Sequence, residues 1–290
     1  MEYNSVMRWP PYKHIFFDCD STLTTVEGID ILAEAVGKKW RVEVLTNAAM
    51  DGVLDLEDIY AKRLQAIRPT REQIKQIRTV YKRNVVADAQ AVIATLQFLG
   101  HTVYIISGGL AEPVEEFGIS LGVPSEHIRA VNVNYDHLSG EWWYAETDFQ
   151  KPRAERYLDY EEGALTVSNG KAQIVKEMLG RQNGRSLLIG DGNSDLKASH
   201  TVDLFVGFGG VVQRELVKAE APAFIHTASL APLLLLAAGP AAIRQTANTV
   251  HEAVFQKAFQ LVETGAIDFN HERLKEKFQQ AYQAIHSRPH

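Results

Sequence analysis

The sequence predicts an α/β fold: a parallel, Rossmann-like sheet with a helical cap inserted into it and a helical extension at the C-terminal end. Three observations lead to this prediction. Apolar runs of strand length, such as residues 14–17 and 186–189, alternate with segments of helical periodicity, which is typical of parallel sheets. These runs end in polar or acidic residues. Between the first two runs, residues from about 30 to 87 show helical periodicity almost throughout.

This pattern divides the chain into three parts. Residues 1–29 and 88–238 are expected to form the sheet core, residues 30–87 the helical cap, and residues 239–290 a C-terminal helical hairpin. With 290 residues, the chain is long enough for one large α/β domain with a smaller insertion.

The cap is predicted from helical spacing and from signals at helix ends. Gly37 is placed to end the first cap helix, and Thr70-Arg71-Glu72-Gln73 has the form of a capping box that begins the last one. Between them, residues 55–67 carry an apolar stripe in which Arg63 is out of place, four residues after Ile59. Either the guanidinium reaches water along its aliphatic stem, or it meets an anion that the stripe does not reveal.

The remaining segments are predicted from strand, turn and helix signals in the same way. In chain order they are a strand (102–106), a hairpin (128–144, with its turn at 136–140), a loop (146–167), three strands (186–189, 204–206 and around 224–225), and two C-terminal helices separated by Gly265 and Asn270.

Composition excludes several classes of partner. A net charge of −6 without a basic run argues against a nucleic-acid surface. The single cysteine, Cys19, excludes an intramolecular disulfide and fits a reducing, cytoplasmic location.

Residues 1–11 lack the continuous apolar core of a signal peptide. The apolar run at 228–243 contains Pro232 and Pro240 and is shorter than the ~20 residues of a membrane span, so we interpret it as a buried helix and expect no membrane partner.

The most informative stretch follows the first apolar run, where Asp18 and Asp20 stand at the end of a predicted buried strand. Alternation along a strand places both carboxylates on one side and Cys19 on the other. Two like charges held together imply a cation between them, and the ligand site of an open parallel sheet lies at the carboxyl ends of its strands. The simpler alternative is that the carboxylates only cap the turn that follows.

Polar residues also stand at the ends of two other strands and at the start of one helix. Ser107 is followed by two glycines, which let backbone N–H groups approach an anion. Asp191 and Asp195 follow the third strand, and Lys171 lies where a helix begins. Each of them alone is compatible with an ordinary turn or a solvated side chain. In a doubly wound sheet, however, all of them would converge on one crevice with Asp18.

These motifs, in this order from about residue 14 to about residue 225, resemble the four motifs of the haloacid dehalogenase (HAD) superfamily of aspartyl-phosphate phosphatases. Asp18-Cys19-Asp20-Ser21-Thr22 resembles the first motif, and Val26-Glu27-Gly28-Ile29-Asp30 narrows the resemblance to the phosphoserine phosphatase family. Val206-Gly207-Phe208-Gly209-Gly210-Val211-Val212-Gln213-Arg214 is similar to the corresponding stretch of the animal-type enzymes. The resemblance implies a HAD-like Rossmannoid core with a C1-type helical cap.

The resemblance also implies a mechanism, and the residue types fit it. Asp18 is expected to be the nucleophile that forms an aspartyl-phosphate, and Asp20 the general acid and then the general base. Ser107, the Gly108 N–H and Lys171 are expected to bind the phosphoryl oxygens through charge-assisted hydrogen bonds.

A magnesium site belongs to the same expectation. Mg²⁺ prefers oxygen ligands, and the resemblance implies that the side chains of Asp18 and Asp191 and the backbone carbonyl of Asp20 hold it. Asp195 is expected to orient Lys171 and a metal-bound water from the next layer of residues.

The expected substrate follows from residues after the first motif and in the cap. The family uses a Glu for the substrate ammonium and an Arg for its carboxylate, and Glu27 and Arg63 occupy these positions. Met50 matches an apolar contact of the family, and Ser194 replaces the common Asn or Thr while keeping a hydroxyl group. The resemblance therefore implies hydrolysis of L-phosphoserine to L-serine and phosphate, a reaction of serine biosynthesis.

Three features depart from the family pattern: Leu56 stands where many members have Phe, the loop at 146–168 is longer than usual, and the C-terminal hairpin is not normally present. Two alternatives therefore stay open. One is a HAD phosphatase for another small amine-bearing phosphomonoester, and the other is a non-catalytic binding protein that acts through the C-terminal helices. We hypothesise that the hairpin from Pro240 onward either forms a homodimer or shields the core.

Overall fold

The computed structural model describes residues 9–50, 53–136 and 155–286. The strands are β1 (His14–Phe17), β2 (Thr102–Leu110), β3 (Ile128–Val131), β4 (Val133–Asp136), β5 (Arg156–Tyr160), β6 (Ser186–Gly190), β7 (Leu204–Phe208), β8 (Ala223–Ile225) and β9 (Ile267–Phe269).

The helices occupy both the segments between strands and the C-terminal part of the chain. They are α1 (Gly28–Ala35), α2 (Lys39–Met50), α3 (Leu56–Ile67), α4 (Arg71–Arg83), α5 (Ala89–Phe98), α6 (Ala111–Ser120), α7 (Gly170–Leu179), α8 (Asn193–Ala198), α9 (Glu215–Glu220), α10 (Leu233–Ala237), α11 (Ile243–Thr246), α12 (Glu252–Glu263) and α13 (Glu272–His286). No helix within the described ranges combines the length and the apolar character needed to span a bilayer.

The main sheet, as far as the chain is described, has seven strands in the order β3-β2-β1-β6-β7-β8-β9. All neighbouring pairs are parallel except β8 and β9. Helices lie between the parallel strands along the chain, because neighbouring parallel strands need a crossover connection. The predicted α/β fold with a Rossmann-like parallel sheet is confirmed.

Strand β1 lies in the middle of the core because three of its four side chains are apolar and cover both of its faces. Ile15, Phe16 and Phe17 have no exposed surface, which is the environment of a parallel strand covered by helices on both sides. Its last residue pairs with Ile105 of β2 and with Ile189 of β6. The polar residues that follow these three strands therefore emerge side by side at one edge of the sheet.

The stretch between β1 and α5 consists of the four helices α1 to α4. The predicted capping box at the start of α4 is present: the Thr70 hydroxyl accepts a hydrogen bond from the Gln73 N–H, and the Gln73 side chain accepts one from the Thr70 N–H. Ion pairs attach α4 to α6 of the core, with Arg71 on Glu112 at 2.9 Å and Arg78 on Glu116 at 2.6 Å. This insertion covers the edge of the sheet at which the strands end.

Two predictions about the middle of the chain are wrong. Strand β3 pairs in parallel with β2 in the main sheet and β4 pairs antiparallel with β5, so residues 128–131 do not belong to a local hairpin; the second predicted arm, up to residue 144, lies outside the described residues. The predicted loop at 146–167 contains β5 and a short 3₁₀ helix at Ala164–Thr166. The predicted turn at 136–140 and the first part of that loop lie outside the described residues, apart from Asp136. Aperiodic, polar strands such as β5 are stabilised by their partner rather than by a pattern of their own.

The C-terminal region contains a strand that the sequence does not predict. Between α12 and α13, β9 pairs antiparallel with β8 and extends the main sheet. The predicted hairpin of two helices is therefore interrupted by a three-residue strand. The prediction that the apolar run at 228–243 is a buried helix agrees with α10, whose five residues are all buried.

Candidate active site

The carboxyl ends of the central strands form one wall of a cleft, and the cap helices form the opposite wall. Asp18 comes directly after β1, Ser107 lies in the second half of β2, and Asp191 directly follows β6. Of the residues expected in the site, the cleft is lined by Asp18, Asp20, Glu27, Arg63, Ser107, Gly108, Lys171 and Ser194.

Lys171 lies between two carboxylates beneath the cleft. Its Nζ atom is 2.8 Å from Oδ1 of Asp18 and 2.7 Å from Oδ1 of Asp195. All three side chains are buried. Burial by itself lowers the pKa of the Lys171 ammonium, but the two carboxylates outweigh burial and hold that pKa above its ordinary value. Lys171 therefore stays charged, and Asp195 holds it beside Asp18.

The three aspartates form a cluster that could hold a metal ion. One carboxylate oxygen from each of Asp18, Asp191 and Asp195 lies within 4.8 Å of the others. Asp191 also accepts hydrogen bonds from Arg214 Nε at 3.1 Å and from the Thr22 hydroxyl at 3.3 Å. Buried carboxylate oxygens are the donors that hard divalent cations prefer, so this cluster fits such a cation.

The carboxylates repel one another in the absence of a cation. Burial raises the pKa of Asp191 to about 7, and the charge of Asp18 adds to the rise, while Arg214 opposes it. Burial likewise raises the pKa of Asp195, with a further contribution from Asp18. Taking like charges out of water is costly unless an opposite charge compensates them. A bound divalent cation would supply this compensation.

Asp20 points away from the aspartate cluster and toward the insertion. Its Oδ2 accepts a hydrogen bond from the Gly28 N–H at 3.0 Å, and its Oδ1 accepts one from the Tyr81 hydroxyl at 2.5 Å. Burial raises the pKa of Asp20 to about 7, although both hydrogen bonds lower it. Glu27 lies nearby, where Ser21 donates a hydrogen bond to it at 2.7 Å, and burial followed by the charge of Asp20 raises the pKa of Glu27 to about 8.

Ser107 and Gly108 lie where β2 becomes irregular. The register between β2 and β3 shifts between Ile106 and Leu110, and the strand continues beyond its predicted end at residue 106. The Gly109 N–H donates a hydrogen bond to the Ser107 hydroxyl at 2.9 Å. The Tyr60 hydroxyl of α3 donates to the Gly108 carbonyl at 2.9 Å and so connects the insertion to this strand.

Arg63 is buried in the wall of the cleft that α3 forms, and only 6% of its surface is exposed. Its Nη1 donates a hydrogen bond to the Thr46 hydroxyl at 3.0 Å, and its guanidinium lies 5.5 Å from the centre of the Tyr60 ring. Its Nε has no hydrogen-bond partner among the described residues. The interpretation that Arg63 reaches water along its stem is therefore wrong, because its buried head group lies against Thr46 of α2 and Tyr60 of α3 in the wall of the cleft.

The structure describes only the backbone of Met50, an expected site residue, and of Leu56, which departs from the family pattern. Met50 ends α2, and Leu56 begins α3, but the side chains of both lie outside what the structure describes. The structure also brings in three residues without an assigned role in the sequence-based prediction: Tyr81, Arg214 and Tyr60. Tyr81 follows Ile74 and Ile77 at helical spacing on α4, so the sequence pattern indicates a packing residue rather than a partner of Asp20.

Comparison with known proteins is consistent with this geometry. The family model of the haloacid dehalogenase-like hydrolases matches residues 15–200. The phosphoserine phosphatase of Mus musculus is 31% identical over 212 residues, which cover 73% of this chain and 88% of that protein. The phosphoserine phosphatase of Drosophila melanogaster is 32% identical over 213 residues, which cover 73% of each chain.

Solved structures resemble the same part of the chain. A structure described as a phospho-aspartyl intermediate analogue of phosphoserine phosphatase superimposes with a TM-score of 0.64 at 24% identity, covering 77% of this chain and 98% of that one. At this level of identity the likeness shows the fold alone.

Proposed function

The chain belongs to the haloacid dehalogenase-like hydrolases, and from this premise we propose that it is a Mg²⁺-dependent phosphatase that converts L-phosphoserine to L-serine and phosphate. Two observations support this proposal. The cleft between the sheet and the cap helices contains carboxylates, Lys171 and Arg63, and the relatives in Mus musculus and Drosophila melanogaster are named phosphoserine phosphatase.

The buried guanidinium of Arg63 is the observation that carries the choice of substrate. A buried charge is unfavourable unless an opposite charge and hydrogen bonds compensate it, and Arg63 has one neutral hydrogen-bond partner and a free Nε among the described residues. It shares the cleft with Glu27. A substrate that carries a carboxylate for Arg63 and an ammonium for Glu27 would compensate both groups.

In the proposed reaction, a carboxylate oxygen of Asp18 attacks the phosphorus atom while the bond from phosphorus to the serine oxygen breaks. Asp20 transfers its proton to that oxygen, so serine leaves as an alcohol and an aspartyl-phosphate remains. Asp20 then accepts a proton from the water that attacks the phosphorus. This step releases phosphate and restores both the Asp18 carboxylate and the protonated Asp20.

Lys171, Ser107 and the Gly108 N–H are proposed to hold the phosphoryl oxygens, with Asp195 fixing the position of Lys171. The Mg²⁺ site is proposed at the side chains of Asp18 and Asp191 and the Asp20 carbonyl. When bound there, Mg²⁺ would offset the charge of the phosphoryl oxygens next to an anionic nucleophile. Met50 and Ser194 are proposed to complete the contacts with the substrate.

Quaternary structure and location belong to the same proposal. Two residues of the apolar stripe that motivates the homodimer hypothesis, Val254 and Ala258 of α12, are buried within one chain, whereas Val250 of the same stripe is 90% exposed. The burial of Val254 and Ala258 supports the hypothesis that the C-terminal region shields the core. Light scattering coupled to gel filtration tests the homodimer hypothesis, and the mass of a single chain would contradict it. We propose that the protein acts in the cytoplasm. Its one cysteine, Cys19, is buried and forms no disulfide, which is compatible with a reducing compartment.

The decisive experiment measures Mg²⁺-dependent phosphate release from L-phosphoserine, D-phosphoserine, phosphothreonine, phosphoethanolamine and p-nitrophenyl phosphate. We expect kcat/KM for L-phosphoserine to exceed that for phosphoethanolamine by ~100-fold or more, which corresponds to about 2.7 kcal/mol of carboxylate recognition. The Asp18→Asn variant should release no phosphate. Equal rates for the two substrates would favour another amine-bearing phosphomonoester, and no release from any compound would favour a binding protein.

A further inference from the structure

Tyr81 reaches from the insertion to the carboxylate of Asp20. It lies in the last turns of α4 and has no exposed surface. Its hydroxyl donates a hydrogen bond to Oδ1 of Asp20 at 2.5 Å, while the N–H of Gly28, the first residue of α1, donates to Oδ2 at 3.0 Å. Two helices of the insertion therefore hold the two oxygens of one core carboxylate.

The position of the Tyr81 hydroxyl is closely determined by its surroundings. Its ring packs at a tilt against Phe117 of α6, with 5.3 Å between ring centres. A Cβ atom at Gly28 would lie 2.3 Å from the Tyr81 oxygen, so the hydroxyl approaches the α1 backbone at a point where only glycine leaves room. The ion pair between Arg78 and Glu116 ties the same stretch of α4 to α6.

A carboxyl group that first gives and then takes a proton depends on its orientation. In the proposed function, Asp20 must reach the leaving oxygen in one step and the attacking water in the next, and small errors in such geometry reduce rates strongly. A tyrosine hydroxyl is a donor at neutral pH. Together with the Gly28 N–H, it leaves the carboxyl group little freedom to rotate.

We propose that Tyr81 is a positioning residue of the reaction: its hydroxyl holds the Asp20 carboxyl in the orientation needed for proton transfer to the leaving group. This inference rests on the proposed function and adds to it a residue from α4. Tyr81 acts through Asp20 and does not itself contact the substrate.

The test uses the leaving group. Release of the alkoxide of L-phosphoserine or phosphoethanolamine requires a proton from Asp20, whereas p-nitrophenolate leaves without one. The Tyr81→Phe variant should lower kcat/KM by about 10- to 100-fold for both alkyl phosphates, part of the usual contribution of general acid catalysis, and by less than about threefold for p-nitrophenyl phosphate. For the two alkyl phosphates the loss should lie in kcat rather than in KM. The substrates are compared by kcat/KM, because this constant covers the steps up to the aspartyl-phosphate and leaves out the hydrolysis of that intermediate, which all three substrates share.

This pattern separates Tyr81 from a residue that recognises the substrate. The Arg63→Ala variant should affect L-phosphoserine and spare phosphoethanolamine, because only the former carries a carboxylate. Tyr104→Phe is a matched control, because it also removes a buried tyrosine hydroxyl. The Tyr104 hydroxyl belongs to β2 and lies 3.3 Å from His14 Nδ1. Its removal should leave the rates on all three substrates unchanged. Melting temperatures of the variants establish that each is folded.

Gly28→Ala provides a second variant, because the added methyl group would displace the Tyr81 hydroxyl and should reproduce the selective loss on the alkyl phosphates. Equal losses on all three substrates, or no loss in a folded Tyr81→Phe variant, would overturn the positioning role while leaving the phosphatase assignment intact. If the wild-type protein releases no phosphate from any of the three compounds, the proposed function fails, and the positioning role fails with it.

Discussion

At the scale of single residues, the wall of the cleft that the cap helices form is organised by hydrogen bonds that run from one helix to the next. Thr46 of α2 accepts a hydrogen bond from Arg63 and donates one to Asp30 of α1 at 3.4 Å. Burial lowers the pKa of Arg63, while nearby groups including Glu27 and Asp30 raise it. The guanidinium of Arg63 is therefore bound by the neutral hydroxyl of Thr46, and the carboxylate of Asp30 is bound to that hydroxyl rather than to the guanidinium.

The first prediction concerns Arg63. The Arg63→Ala variant should lose about 2–4 kcal/mol of transition-state binding for L-phosphoserine, because truncating one partner of a desolvated charge pair typically costs that much. Steady-state kinetics on L-phosphoserine and p-nitrophenyl phosphate provide the measurement, and the aryl ester should suffer far less. Lys62→Ala, an exposed neighbour on α3, serves as control. Equal losses on both substrates would contradict the assigned role.

The second prediction concerns Asp30, whose pKa burial raises from 3.8 to about 6, with Glu43 adding to the rise and Arg63 opposing it. Between these two values the folded state binds more protons than the unfolded state, so this carboxyl group makes stability fall as pH rises from about 4 to about 6. Asp30→Asn should remove that part of the pH dependence.

Urea unfolding of the wild-type protein and the variant between about pH 4 and pH 7 measures this effect. The free energy of unfolding of the wild type, relative to that of Asp30→Asn, should decrease through the window and level off above it. Asp58→Asn, which changes an exposed carboxylate on α3, should leave the wild-type profile unchanged. A constant difference between wild type and Asp30→Asn would show that the Asp30 pKa is not raised.

At the scale of elements, the C-terminal helices are part of the core. Phe255 and Ala258 of α12 have no exposed surface, and α10, beneath them, is equally buried. Strand β9 covers β8, which would otherwise be an open edge of the sheet. An ion pair of 2.7 Å from Lys257 to Asp88 ties α12 to the residue that precedes α5. The extension therefore contributes to folding.

The third prediction tests this contribution. Phe255→Ala should lower the free energy of unfolding by about 3–5 kcal/mol, the usual cost of removing a fully buried aromatic side chain. Val250→Ala, just before α12 and with 90% of its surface exposed, should change it by less than about 0.5 kcal/mol. Chemical unfolding of both variants provides the comparison, and similar small effects would mean that α12 is not packed as described.

At the scale of the whole molecule, the cleft exists because sheet and insertion are held together at several points. The hydrogen bond from Tyr60 to Gly108 and the ion pairs of α4 with α6 join the two walls. Ser168, which precedes α7, donates from its N–H to Glu57 of α3 at 2.9 Å. The carboxylates enclosed between these walls concentrate negative charge in a protein that is already anionic.

The fourth prediction follows from that charge. Mg²⁺ that binds only the folded state should stabilise it by about 2.7 kcal/mol at a concentration of 100 Kd, which corresponds to a rise in melting temperature of about 4 °C for a chain of this length. Differential scanning fluorimetry with and without Mg²⁺ measures this rise. Asp191→Asn should abolish most of it, whereas Asp58→Asn should keep it. A rise of equal size in both variants would place the ion elsewhere.

The sequence by itself determined the features whose signals are local. The apolar run of β1 with Asp18 and Asp20 after it, the capping box at Thr70 and the alternation of strands with helices predict the α/β fold. Parallel pairing then necessarily brings Asp18, Ser107 and Asp191 to one edge of the sheet. Arg63 could be singled out because a charge interrupted an apolar stripe.

Only the tertiary structure decided the features that depend on distant partners. Strand β9 is three residues long and forms because β8 offers a free edge, and β5 forms because β4 does. Tyr81 continues an apolar stripe, so its sequence context indicates packing, and its contact with Asp20 spans 61 residues. Short strands and single hydrogen bonds leave no periodic pattern, since their stability comes from the partner rather than from neighbouring residues.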